Sequence, residues 1–283
     1  MTPTFVLIHG SNGNSFTFAP LQRELALLGH RSLAVDLPGH GFAASYPEGF
    51  HTPQDAAALA TAPSGMAGVS LAENVEHVAG ILRRAKEHGP TVVLAHSRGG
   101  FTLTSLADTH PDLVDHMVYM SAWCCVDRDA GEYMERPEYA SSALGETAGA
   151  MAANPVELGA IRMNWRTAEP TLVAALKRSL LEDGTDDEFR AFLDTLQPDE
   201  NLDVGGPDDR AKAETWGRIP RSYVRLTRDM SIPVELQDLF IKEADALTPG
   251  NRFEVHSLEA GHVEPLIRPE GLAAILASTA ERA

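Results

Sequence analysis

The chain has 283 residues, 43% hydrophobic and 22% charged, which is enough for one large domain with a sizeable core and excludes disordered or collagen-like classes. A formal charge of −17 repels phosphate backbones and anionic lipid, so the expected partner is a small molecule, with no nucleic acid and no membrane. No stretch approaches the ~20 apolar residues of a membrane span, and the chain enters its first apolar run without a basic segment or cleavage site, so a soluble, cytoplasmic protein is expected.

"TFVLIHG" (4–10) reads as a buried strand. The following "FTFAPLQRELALLG" puts Phe18, Leu21, Leu25 and Leu28 on one helical face, with Gly29 as a stop. "RSLAVDLPGHG" is a strand broken by Pro38 and Gly39, and "LAENVEHVAGILRRAKEHG" stacks Leu71, Val75, Val78, Leu82 and Ala85. "PTVVLAHS" is a strand, "RGGFTLTSLADTH" a helix and "HMVYMSAW" another strand. Such apolar strands separated by helices imply a parallel sheet covered on both faces. The fold class is therefore α/β, mostly parallel and doubly wound.

The alternation then lapses. From Cys124 the sequence is rich in Ala, Pro, Asp and Glu, with helical pieces such as "EPTLVAALKRSLLEDG" and "TDDEFRAFLDTL" but no strand. It resumes with "SYVRLTRD", a helix from about Pro233 to Ala246, "RFEVHSLEAGH" and a final helix inside "PEGLAAILASTAERA". Residues 1–123 and 221–283 thus form the core, and 124–220 a helical cap insertion over the site, with a dimerisation module as the alternative. Residues 42–70 are too long for an ordinary connection and are expected to line a site. Cys124 and Cys125 are adjacent, which makes a mutual disulfide awkward, and no Cys/His spacing suggests a metal. Reduced structural thiols, no metal and no cofactor are expected.

In open α/β sheets ligands collect beyond the carboxyl ends of the strands. Ser97 sits at such an end, and "AHSRG" fits the pattern G-x-S-x-G of a nucleophile on a tight strand-to-helix turn, with Ala95 in the first position. A serine hydroxyl needs a base to remove its proton and a third group to orient that base. Of eleven histidines, His262 lies just after the last strand, where a base is expected. His256 reads as a packing residue, His96 as pointing away from the serine, and His9 as part of the first strand end. His30, His40, His77, His88, His110 and His116 read as helix-end or surface residues. Asp229 ends the strand "SYVRLTRD" and is the expected acid, ahead of Asp203, Asp208 and Asp209. The main-chain N–H groups of Ser11 and Arg98 are the expected oxyanion donors. Asn12, His51, Met163 and Trp165 are candidates for substrate contact, and Trp216 is open between lining and core.

These elements, in this order, resemble the α/β-hydrolase superfamily. The stretch "FVLIHGSNGNSFTFAPLQRELALLGHRSLAVDLPGHG", together with "AHSRGG" and "RLTRDMSIPVELQDLF", resembles the methylesterase and hydroxynitrile lyase family. The resemblance implies a triad of Ser97, Asp229 and His262 with oxyanion donors at Ser11 and Arg98. The sequence departs from the family at Ala95, in lacking a tryptophan-rich segment after "HG", and in its longer 42–70 and cap regions, so no substrate is carried over. The family's lyases place a threonine after the first strand's histidine and a lysine after the catalytic histidine; Gly10 and Val263 stand there instead, as in the esterase branch. The leading expectation is a serine hydrolase acting on a small carboxylic ester or lactone through an acyl-enzyme, with a homodimer left open. The alternatives are a hydroxynitrile-lyase-like or other carbon–carbon cleaving enzyme using the same triad, and a non-catalytic ligand receptor.

Overall fold

A computed structural model describes residues 2–280. Its strands are β1 (Thr4–Ile8), β2 (Arg31–Ala34), β3 (Thr91–Ser97), β4 (His116–Ala122), β5 (Ala160–Arg162), β6 (Asp199–Asn201), β7 (Arg221–Leu226) and β8 (Glu254–Leu258). Six of them form one sheet in the order β2-β1-β3-β4-β7-β8, every neighbouring pair parallel. Successive side chains of a strand face opposite sides, and both sides are filled. Val6, Ile8, Val93 and Tyr119 face the helices Leu71–Lys86, Gly99–Thr109 and Val234–Leu247. Phe5, Leu7, Val92, Leu94 and Val118 face the helices Ala19–Leu27 and Glu270–Ala280. Within this sheet the edge strands β2 and β8 alternate between more and less exposed residues, as strands with one less covered face do.

The helices follow the sequence pattern with local adjustments. Leu71–Lys86 starts on a capping box between Ser70 and Glu73, ends on three basic residues, and buries all five of its expected apolar positions. In the first helix Leu21 and Leu25 are buried, but Leu28 falls at the C-cap and is exposed, because the helix ends at Leu27 and Gly29 turns the chain at φ +82°. The last helix runs to Ala280; residues 281–283 of the expected segment lie outside the described residues.

The insertion is not purely helical. Besides the helices Pro170–Leu181 and Asp186–Leu193 it holds β5 and β6, paired antiparallel and too short for any periodicity to reveal. A fully buried Arg162 anchors this ribbon. Its guanidinium forms a bidentate pair with Asp199, both bonds 2.6 Å, and donates to the carbonyls of Leu59, Ala62 and Pro63. With all five N–H donors used, the buried charge is fully compensated. Those carbonyls belong to the 42–70 excursion, which therefore buttresses the ribbon. None of its residues lines the cavity at the carboxyl end of β3, contrary to expectation, and His51 is exposed and packs instead on Tyr46 and Phe50.

The insertion also divides. Residues 207–219 run back along the helix Gly99–Thr109, where Asp108 accepts bonds from the Thr215 hydroxyl and the N–H of Trp216. Trp216 is fully buried there and donates its indole N–H to the Tyr119 hydroxyl at 2.9 Å, so it is core. The chain thus rejoins the sheet at the N-terminal end of β7, the end opposite Ser97, and only the earlier part of the insertion overlies the strand ends.

Candidate active site

Ser97 closes β3 at φ +54°, a left-handed conformation that costs a non-glycine residue on the order of 1–3 kcal/mol. Tight packing on every side enforces the turn. A Cβ on Gly10 would sit 2.8 Å from the Ser97 Cβ, one on Gly99 would sit 2.7 Å from the His9 carbonyl oxygen, and one on Gly100 would overlap the Trp123 carbonyl. Ala95 is fully buried and its single methyl is accommodated. The turn leads straight into the helix Gly99–Thr109, whose N-terminus favours negative charge close to the serine.

The fold brings His262 and Asp229 to this turn from the loops after β8 and β7. The Ser97 Oγ lies 3.0 Å from His262 Nε2, and His262 Nδ1 lies 2.6 Å from Asp229 Oδ2. The Asp229 carboxylate is buried and accepts three further bonds: from the main-chain N–H groups of Ser231 (2.7 Å) and Ile232 (2.8 Å) to Oδ1, and from the Ser121 hydroxyl (2.6 Å) to Oδ2. Asp229 thus also caps the turn before the helix Val234–Leu247.

Ser121 has no sequence signal. The β3–β4 register passes from His96 opposite Met120 to Ser97 opposite Ala122, so Ser121 is the extra residue of a bulge, at φ +36°, whose hydroxyl reaches the acid. The His96 ring packs on that of His262 at 4.6 Å, and its Nε2 donates to the His262 carbonyl at 3.0 Å. Burial, and then the neighbouring His262, push the His96 pKa well below the ordinary value, so it supports the loop as a neutral ring.

Ser11 and Arg98 flank Ser97 at the wall of a cavity of about 270 Å³. Asn12, Met163 and Trp165 line it too, with Trp123, Leu144, Ile161 and Phe192, so the walls are mainly apolar. Asn12, however, is occupied by the insertion: its amide donates to the carbonyls of Gln197 and Pro198, each at 3.0 Å, and its carbonyl accepts the Gln197 N–H at 2.8 Å. That leaves its side chain holding the loop. Arg98 likewise turns its guanidinium away from the cavity, onto the carbonyls of Asn201 and Asp203. Of the three rival carboxylates, Asp203 accepts the N–H of Leu71 and Asp209 that of Gly206, so these two serve turns, and Asp208 is exposed.

Two of the histidines expected at helix ends or on the surface are buried, His116 against Ser222 and His40 against Glu200. His40 Nδ1 faces the Pro38 carbonyl and Nε2 faces Glu200 at 3.3 Å; with an acceptor at each nitrogen the ring favours its protonated form. Burial opposes this, but the Glu200 carboxylate holds the His40 pKa above the ordinary value. Burial alone would also raise Glu200, yet the bond from His40 and the charge of Arg98 bring it to about 2. Cys124 and Cys125 are free, buried thiols, the former pushed up to about 12 by burial.

A strained serine at the end of a central parallel strand, facing a histidine and a carboxylate from later strand ends, is the arrangement of one fold family. Residues 5–275 match the model of the alpha/beta hydrolase family, and the chain belongs to that family. A pyrethroid hydrolase of Sphingobium wenxiniae is 27% identical over 282 residues, spanning 99% of this chain and 89% of the relative. A solved pyrethroid hydrolase superposes with a TM-score of 0.73 at 22% identity, over 99% of this chain and 98% of the other. Polyneuridine aldehyde esterase does so at 0.71 and 19%, over 99% of both chains. The protein is an enzyme of the carboxylesterase type within the family. Among the described residues no helix is long and apolar enough to cross a membrane.

Proposed function

We propose that the enzyme cleaves a small, largely apolar carboxylic ester or lactone in the cytoplasm, through an acyl-enzyme on Ser97. The observation that carries this is the continuous chain from the Ser97 hydroxyl through His262 to Asp229 at the floor of an apolar cavity. In this reading Ser97 Oγ attacks the carbonyl carbon as its proton passes to His262 Nε2, and Asp229 holds Nδ1–H and stabilises the imidazolium. The oxyanion accepts the N–H groups of Arg98 and Ser11. Collapse of the tetrahedral intermediate expels the alkoxide, which takes the proton from His262. A water molecule, deprotonated by the same nitrogen, then releases the acid and restores Ser97. The earlier part of the insertion acts as the cap that supplies the apolar walls.

The second reading, cleavage of a cyanohydrin by the same base, is less well supported. A fixed cation beside the base would stabilise a departing cyanide. Val263 is buried in the cavity wall after His262, and the one cation among the described lining residues, Arg98, is bound to the insertion. The cavity of about 270 Å³ lies just below the roughly 300–1,000 Å³ usual for small-molecule sites, which favours short acyl and alcohol groups. A fluorophosphonate probe tests the class: labelling of wild type and none of Ser97→Ala is expected. Labelling that survives the substitution contradicts it, and absence of labelling with cyanide release from mandelonitrile favours the second reading.

A further inference from the structure

We infer that Glu200 is a positioning residue for the oxyanion site, tying the loop that carries Ser11 and the turn that carries Arg98 to one carboxylate of the insertion; this rests on the ester-cleaving reading above. Glu200 lies in β6, is buried and stays outside the cavity, so it touches no substrate. Its Oε2 accepts the N–H of Asn12 at 2.9 Å, and its Oε1 accepts the main-chain and side-chain N–H groups of Asn201, both at 3.0 Å. Asn201 in turn presents its carbonyl (2.8 Å) and its Oδ1 (2.9 Å) to Arg98 Nη2, while Arg98 Nε lies 3.8 Å from Glu200 Oε1.

The geometry matters because of which peptide is held. Asn12 follows Ser11 directly, so fixing the Asn12 N–H fixes the Ser11–Asn12 peptide plane, and the neighbouring peptide that carries the Ser11 N–H can then turn against it only about the φ and ψ of Ser11. Asn12 sits at φ +58°, in the left-handed region that asparagine adopts more readily than other non-glycine residues, and its bonds hold it there. A bond to a carboxylate is roughly twice as strong as a neutral one, so this is the strongest single bond holding Asn12. On the other side the same carboxylate, through Asn201, anchors the side chain of the residue whose N–H is the second donor. The two donors come from different strand ends, and no bond between them sets their separation among the described residues. Glu200 supplies that link, and His40 balances its charge.

The test is Glu200→Gln, which keeps the shape but turns an amide N–H toward donors that need an acceptor. The expected result is a fall in kcat of about 10- to 100-fold with KM changed less than about threefold, because a misplaced donor weakens the transition state alone. Affinity for a trifluoromethyl ketone, whose Ser97 adduct carries the oxyanion, should fall in parallel with kcat/KM, while inhibition by the product alcohol stays constant. Glu200→Asp, which keeps the charge at shorter reach, should show the same split and covers a failure of the first variant to fold. A folded variant with wild-type kcat and ketone affinity overturns the inference. So does an equal loss of ketone and alcohol binding, or a failure of both variants to fold, since each assigns Glu200 a merely structural role. Wild-type turnover without an acyl adduct on Ser97 overturns the underlying reading instead.

Discussion

Replacing Asp229 by Asn tests the acid through the four bonds its carboxylate accepts. Oδ1 faces two main-chain donors, Ser231 and Ile232, at 2.7 and 2.8 Å, and neither can move without unwinding the turn. The asparagine must therefore turn its oxygen to them and its NH2 toward Ser121 and His262. The Ser121 hydroxyl can rotate and accept. His262 can meet an NH2 donor only by losing its Nδ1 proton, which leaves hydrogen on Nε2, pointing at Ser97, where a lone pair is required. The variant keeps its fold and loses its base. In serine hydrolases with this defect the loss is about 10⁴-fold in kcat, or ~5.5 kcal/mol on the barrier. The assay is kcat/KM on a 4-nitrophenyl ester of short acyl chain, with circular dichroism to check folding. A folded Asn variant that retains more than about a tenth of wild-type activity would refute the assignment.

Gly10→Ala should destabilise the fold by ~1–3 kcal/mol, because the new methyl meets Ser97 Cβ at 2.8 Å, and should slow turnover; wild-type urea unfolding and kcat would count against the close packing. Ser121→Ala removes a 2.6 Å bond to the acid and should lower kcat about tenfold with KM little changed, so unaltered steady-state kinetics would leave the bulge without a role. Stability should fall in acid on account of His9, buried and neutral, whose Nε2 accepts the Leu37 N–H. Burial and the charge of His40 lower its pKa from 6.5 to about 4, so between those values the unfolded chain binds the proton and the folded one does not. Its contribution, ~3 kcal/mol in full, is present above about 6.5 and is lost as the pH falls toward about 4. His9→Asn should flatten the unfolding midpoint against pH in that window, and an unchanged slope would refute the origin.

What the sequence disclosed follows from how local each signal is. Ser97, Asp229 and His262 are each marked by the strand they end, and a buried central strand is recognisable from a few apolar residues. Glu200 and Arg162 carry charge, and charge in a sequence reads as solvated; only the tertiary placement of the insertion buries them among partners that lie far away in the chain. Ser121 was invisible for a different reason, since a one-residue bulge is a property of two paired strands. The 42–70 excursion was read from length alone as part of a site, whereas its carbonyls serve Arg162.

The central claim, an acyl group carried by Ser97, is tested most directly by rapid quench of the enzyme with an activated short-chain ester, followed by peptide mass spectrometry. An adduct of the acyl mass on the peptide containing Ser97, formed within the first turnover and absent from Ser97→Ala, is the predicted result. Ester turnover with no adduct, or with the acyl group on another peptide, would contradict the account.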